Sequence, residues 1–340
     1  MKNWPTSCTR LREHPAAAAW GLAALTAALA LLSLGLGAAD LRPGEVLRAL
    51  AGQDPGSVAA RVVLYARLPR VCGSLLAGAA LAVSGVIIQT VLANPLAAPH
   101  IIGVNAGAGL GVALCSALAP AALLQPLAAF AGAMAGVLLV LFFSEATGAS
   151  RITLVLAGVA ISNIFSALID AVTTVFPDAL TGYTDFRMGG LAGVSLARIA
   201  PAAVLIGVSL AAAAVLAGDL DLLALGPETA RSLGLRVRPA RLVFLALAAA
   251  LAGAAVSFCG LVGFVGLLVP HIVHRLVGGE SRPLLLCSAL GGAALLTVCD
   301  LLARLAAAPF ELPVGTVLSL VGGPFFLWLL IRQRGGRTHD

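Results

Sequence analysis

The chain of 340 residues holds a single lysine, Lys2. A phosphate-binding loop of the GxxxxGK[ST] kind needs a lysine on the phosphates, so this chain does not hydrolyse ATP by that route. Charge of either sign is scarce: Asp, Glu, Lys and Arg make up 11% of the sequence, where soluble domains carry roughly a quarter. None of the four occurs from Val71 to Ser144, from Leu242 to His274, or from Leu312 to Ile331. The six cysteines (Cys8, Cys72, Cys115, Cys259, Cys287, Cys299) include no CxxC pair, which favours buried packing over redox or metal chemistry. HExxH, GxSxG and EF-hand patterns are missing as well. His271 and His274 have the i,i+3 spacing of a shared helix face, but two ligands do not make a metal site. The sequence therefore argues against an enzyme active site, and no metal, resident cofactor or nucleic-acid partner is expected.

What is abundant is apolar surface: 60% of residues are hydrophobic and the mean hydropathy is +1.03. A bilayer core takes about 20 apolar residues per helix, and the first uncharged run alone has room for three. We expect an all-α polytopic membrane protein with spans near 16–37, 68–91, 99–119, 122–143, 152–175, 199–218, 240–258, 260–275, 283–303 and 313–332. The first span is too long for a signal peptide's apolar region. Ten spans put both ends of the chain on one side, and Lys2, Arg10, Arg12, Arg332, Arg334 and Arg337 make that side cytoplasmic. Residues 1–15 and 333–340 then form short cytoplasmic ends around a permease-like body at 16–332. On this layout 13 of the 21 basic residues lie inside and eight outside.

Small residues recur at helix-packing intervals. Gly103, Gly107 and Gly111 form GxxxGxxxG, and Gly132 and Gly136 form GxxxG; such spacing lets backbones approach closely in lipid. "LAGAALAVSG" (76–85) resembles "LAGAAVSFCG" (251–260), with Pro95 and Gly103 matching Pro270 and Gly278 at the same offset of 175. On the expected layout the two halves are inverted in the membrane, a frequent way to build a transporter around a central pathway.

Against this background residues 218–241, "GDLDLLALGPETARSLGLRVRPAR", carry seven charges. Pro227 suits the first turn of a helix and Glu228 its positive end, and Gly234 is placed to end it. The short helix is read as offering Ala230 and Leu233 on one face, with Glu228 and Arg231 in water. A plain solvated loop accounts for the arginines; a docking surface accounts better for a capped helix with small residues outward. In the span at 152–175, Asn163, Ser166, Asp170 and Thr174 stand at i, i+3, i+7 and i+11. A polar stripe inside a membrane is costly unless paired or hydrated. It reads equally as a pathway lining or as interhelical hydrogen bonding.

"LALGPETARSLGL" resembles the coupling segment of the FecCD-type permeases of bacterial ABC importers for iron–siderophores, haem and cobalamin. The stretches "ARLPRVCGSLLAGAALAVSGVIIQTVLANPLAAPHIIGVNAGAG" (66–109), "GFVGLLVPHIVHRLVG" (263–278), "CDLLAR" (299–304) and "ELPVGTVLSLVGGPFFLWLL" (311–330) follow in that family's order. His274 departs from it, standing where the family commonly has arginine. The resemblance implies a homodimer, or a pair of paralogous permeases, with the pathway along the dimer axis. It implies two separate ATPase subunits, which bind the ATP, beneath it, and a periplasmic or lipid-tethered binding protein above. It places Gly226, Glu228, Ala230, Leu233 and Gly234 in the element that seats in the ATPase. It gives Arg67, Arg70 and Arg304, at outer ends of spans, to acidic residues of the binding protein. Against that role stand interfacial snorkelling of Arg67 and Arg70 and an i,i+4 pair of Arg304 with Asp300. The expected function is the bacterial inner-membrane permease subunit of a ferric-siderophore importer, with haem or cobalamin as alternative cargo. A lone secondary transporter is the reading of another class, and Asp170 and Asp300 are the intramembrane acids it would need. A membrane-embedded enzyme has no visible nucleophile–base set.

Overall fold

A computed structural model of the chain describes residues 15–334, except 38, 120, 122, 148–149 and 308–309. The terminal cations Lys2, Arg10, Arg12 and Arg337, on which the expected orientation partly rests, lie outside the described residues.

The described residues form helices and no strand. α1 (Pro15–Gly35) is followed by two short helices, α2 (Pro43–Leu50) and α3 (Val58–Arg61). α3 runs through a π-helical turn, Val62–Arg67, into α4 (Leu68–Leu92). After a 3-10 turn at Pro99–Ile102 come α5 (Val104–Leu118), α6 (Gln125–Ala146), α7 (Arg151–Val175) and the short α8 (Ala179–Met188). α9 (Leu196–Val215) leads to two short helices, α10 (Ala217–Ala224) and α11 (Pro227–Ser232). α12 (Val237–Cys259), α13 (Val265–Val277), α14 (Ser281–Leu305) and α15 (Val314–Arg334) complete the bundle.

Each expected span contains one of these helices. Among the described residues, seven are long and apolar enough to cross a bilayer alone, while α5, α13 and the described part of α15 are shorter apolar helices. The short α2 and α8 were not foreseen.

α4, α12 and α14 make the core. Over their most apolar windows 78%, 67% and 67% of the residues are buried, against 17% for α1 and 28% for α7 and α9. Glycine lets these helices touch backbone to backbone. A Cβ on Gly78 would sit 2.2 Å from the Gly292 carbonyl oxygen, and one on Gly85 would sit 1.9 Å from that of Gly266. The two glycine motifs, each expected to allow close backbone approach, meet each other. Gly107 faces Gly132, where an added Cβ would lie 2.2 Å from the opposing carbonyl oxygen, and Gly136 faces Gly103.

The halves share an order of helix lengths: 25, 15, 22 and 25 residues for α4–α7, then 23, 13, 25 and 21 for α12–α15. That likeness is not the 175-residue register expected from the sequence. Gly85 lies inside α4, whereas Gly260 follows the end of α12 at φ +68°; Pro95 is in a loop and Pro270 inside α13.

Candidate functional site

The segment between α9 and α12 folds as the residues direct. Gly226 turns the chain at φ +98° and Pro227 opens α11. The helix lasts six residues, to Ser232, and Gly234 turns the chain just beyond it at φ +89°. Nothing approaches within 4 Å of a Cβ built on either glycine, so conformation rather than crowding calls for glycine there. Glu228 is exposed in the first turn and Leu233 is 57% exposed. Ala230 corrects the expectation: it is fully buried. The helix stops at Ser232, so Leu233 leaves its face while Ala230 turns inward, its carbonyl accepting the Leu235 N–H at 3.0 Å.

This segment has a firm footing that the sequence did not disclose. The Asp221 carboxylate accepts the backbone N–H of Ser281 at 2.8 Å, at the start of α14, where a helix end favours negative charge. Leu220 and Leu223 are buried beneath α10. Arg238, at the start of α12, pairs with Glu145 near the end of α6.

At the opposite end of the bundle Arg67, Arg70 and Arg304 come together, but not as exposed groups: they are 3%, 8% and 3% exposed. Arg67 donates to the carbonyls of Leu34 (2.8 Å), Gly35 (2.6 Å) and Ala39 (2.6 Å). Arg304 donates to Leu36 O at 3.2 Å and to Ser33 through its carbonyl at 3.2 Å and its hydroxyl at 2.5 Å. Two guanidinium groups thus satisfy the orphan carbonyls at the end of α1 and place positive charge at the negative end of its dipole. Arg70 donates from Nη2 to Asp300 Oδ1 at 3.0 Å and from Nη1 to Glu311 Oε2 at 2.7 Å. Asp300, fully buried, also lies 3.1 Å from Arg304 Nε through Oδ2. That last contact is coulombic, since neither atom makes an aligned hydrogen bond.

The docking reading expected free guanidinium groups; in this conformation all three are committed inside the chain. The i,i+4 Asp300–Arg304 pair is present, and burial replaces the expected snorkelling of Arg67 and Arg70. Glu311 and the Ser33–Ala39 turn, the partners that decide this, lie far away in sequence and carried no signal of their own.

On α7 the stripe Asn163, Ser166, Asp170 and Thr174 is exposed along its whole length. The four fall within an arc of about 80°, taking roughly 100° per residue. Leu154, Ile161, Phe165 and Ile169 on the other side are buried. There Gly158 meets the chain so closely that a Cβ would lie 1.9 Å from Ile101 O. The Ser166 and Thr174 hydroxyls donate to carbonyls of their own helix, Ser162 at 2.9 Å and Asp170 at 2.7 Å. The stripe therefore faces outward from the protomer rather than into its neighbours.

Among the described residues no group of three or more His, Cys, Asp or Glu side chains is placed to hold a metal ion.

The FecCD transport family matches residues 25–332. The chain belongs to the FecCD transport family. It is 40% identical over 310 residues to the Fe(3+) dicitrate transport system permease protein FecD of Escherichia coli K12, covering 91% of this chain and 96% of that one. It is 39% identical over 318 residues to the hemin transport system permease protein HmuU of Yersinia pestis, covering 91% and 94%. It is 38% identical over 312 residues to the iron(3+)-hydroxamate import system permease protein FhuB of Bacillus subtilis 168, covering 90% and 81%. A solved structure described as a metal-chelate type ABC transporter in an inward-facing conformation superposes with a TM-score of 0.84 at 30% identity, over 92% of this chain and 98% of that one. This FecCD chain is a membrane-spanning transport permease.

Proposed function

We propose that this FecCD permease forms the translocation pathway for a ferric siderophore and is driven by two copies of a separate ATPase that bind the ATP. It carries no ATPase site of its own and works as a homodimer in a bacterial inner membrane, with both chain ends cytoplasmic. The observation that carries the reading is the capped helix α11, which presents Glu228 and Leu233 outward and follows α10, itself held on α14 through Asp221. Such an element passes a push from a partner into the core of the bundle. The relatives named for ferric dicitrate, hemin and ferric hydroxamate support an iron-chelate cargo.

The outward stripe on α7 then faces a second copy across the pathway. A large chelate suits this lining: the stripe holds one ionisable group, Asp170, and no ring of charge. A secondary transporter is disfavoured because Asp300, one of its two candidate acids, is locked between Arg70 and Arg304.

A binding protein on the outer side meets Arg70 already paired with Glu311, whose side chain is 36% exposed. A partner's carboxylate must displace Glu311 to reach that guanidinium.

The test is uptake of labelled ferric siderophore, haem and cobalamin in cells lacking this chain and its redundant importers, then with the chain restored. Recovery of ferric-siderophore uptake supports the reading. Recovery of haem or cobalamin alone transfers the cargo. Transport by the purified chain in liposomes without ATP would sink the importer mechanism.

A further inference from the structure

Between the ends of α4, α13 and α14, and capped by Ala224 at the end of α10, lies a cavity of about 340 Å3. Its volume is in the range of small-ligand sites, roughly 300–1,000 Å3. His271, His274 and Arg275 of α13 line one side, Thr90 and Asn94 line the other, and Ser281 stands at its rim. No Asp or Glu side chain lines it. Glu280, between the lining residues Gly279 and Ser281, is exposed and does not line it, and the Asp221 carboxylate is taken by the Ser281 N–H.

Part of this arrangement has a plainer cause. His274 and Arg275 stand in the last turn of α13, where positive charge complements the helix dipole, and both have contacts elsewhere in the chain. That does not account for His271. Its Nε2 is buried and has no hydrogen-bond partner, although a buried polar atom left unpaired costs about 1–3 kcal/mol. Nor does it account for an open volume with basic, amide and hydroxyl groups around it and no carboxylate.

These groups suit one ligand chemistry. An imidazole N–H, a guanidinium, a hydroxyl and an amide all donate to anionic oxygens, and basic pockets between membrane helices on the cytoplasmic side take phosphate headgroups. We propose that this cavity binds a phosphate group, carried by an anionic phospholipid or by a soluble phosphate. Bound there, it meets the basic wall of His271, His274 and Arg275 and braces the Ser281 end of α14, against which α10 stands. The inference does not rest on the importer reading, because the cavity lies within one protomer and its test reads binding alone.

The test uses the full-length purified chain in two arms. In one, delipidated protein is titrated with phosphatidylglycerol and bound lipid is counted by native mass spectrometry. In the other, radiolabelled inorganic phosphate is titrated by equilibrium dialysis. The variants are His271→Leu, which removes the ring nitrogens, and Thr90→Leu, which fills the cavity from the opposite wall. Saturable binding in either arm, weakened at least tenfold by a variant that elutes as the parent does, supports the site and names its source. If His271→Leu aggregates, Thr90→Leu alone decides. Absence of saturable binding in both arms, or unchanged binding in the folded variant, overturns it.

Discussion

Asp300→Asn tests whether the arginine cluster is a structural clasp. The substitution keeps shape and one acceptor oxygen but removes the charge between Arg70 and Arg304. Asp300 is fully buried, and its two partners are 8% and 3% exposed. Removing one member of a buried ion pair costs about 3–5 kcal/mol, because the remaining charge stays buried and uncompensated. Here the loss sits at the lower end. Arg70 keeps Glu311 at 2.7 Å, and Arg304 keeps Ser33 and Leu36. Glu311→Gln is the internal control. Its side chain is 36% exposed, so solvent screening holds its loss to about 1 kcal/mol or less. At about 2 °C per kcal/mol for a chain of this size, Asp300→Asn lowers the melting midpoint of detergent-purified protein by about 6 °C. Glu311→Gln lowers it by no more than about 2 °C. The reasoning fails if Asp300→Asn melts within 2 °C of the parent, or if Glu311→Gln is the more damaging change.

Glu311→Gln serves a second purpose: if a binding protein reaches Arg70 by displacing that carboxylate, the variant captures loaded binding protein more tightly in a pull-down, and equal capture refutes the exchange. Glu228→Arg uncouples ATP hydrolysis from uptake in the complex while leaving membrane insertion intact; normal uptake would remove α11 from the coupling role. Gly85→Ala places a Cβ 1.9 Å from Gly266 O, whereas Gly207 has nothing within 4 Å. Fluorescence-detected size exclusion should therefore show loss of monodisperse protein for Gly85→Ala and none for Gly207→Ala. Cysteines at 163, 166, 170 and 174 should react with a membrane-impermeant maleimide, and cysteines at the exposed apolar positions 164 and 168 should not; the reverse pattern puts the stripe in lipid.

How much of this was legible depends on how local the cause is. Helix positions followed from uncharged runs, and α11 followed from Gly-Pro-Glu at its start and Gly234 at its end, because a turn and a cap are decided within a few residues. That Gly107 and Gly132 lie at close helix contacts was legible in their spacing; that they face each other was not. α2 was legible in principle: Pro43 at its first turn and the Glu45 carboxylate accepting the Arg42 N–H at 2.8 Å are ordinary start signals, hidden by the weight given to long apolar runs. The i,i+4 pair of Asp300 and Arg304 was legible, but the burial of the arginines was not, because it depends on distant partners. Arg70 and Asp300 are 230 positions apart and Arg304 and Ser33 are 271 apart, and no short-range pattern encodes either meeting. Ala230 failed for a smaller reason: helical spacing was extended one residue past the point where the helix stops.

The placement of charge also bears on how force could travel. In the described bundle the ionic contacts gather at its two ends, Asp221, Glu145 and Arg238 at one and the Asp300 cluster at the other. The stretch between is held by apolar packing, glycine–carbonyl contact and a few buried hydrogen bonds between helices, among them Ser74 with Thr297 at 2.8 Å and Ser84 to the Ala248 carbonyl at 2.7 Å. Close-packed backbone contact resists compression, and the hydrogen bonds of α4 to α14 and α12 tie these helices into one unit. In the proposed mechanism a push on α11 passes to α10, whose Asp221 holds the Ser281 end of α14, and α14 rests on α4 at Gly292 and Gly78. It reaches α7 indirectly, through α5, α6 and the Ile101 turn that meets Gly158. The helix bearing the polar stripe is little buried, at 28% of its window against 78% for α4. In the proposed mechanism α7 is the follower and the α4–α14 pair the lever, so a Cβ at Gly158 disturbs the pathway while leaving the docking of α11 intact.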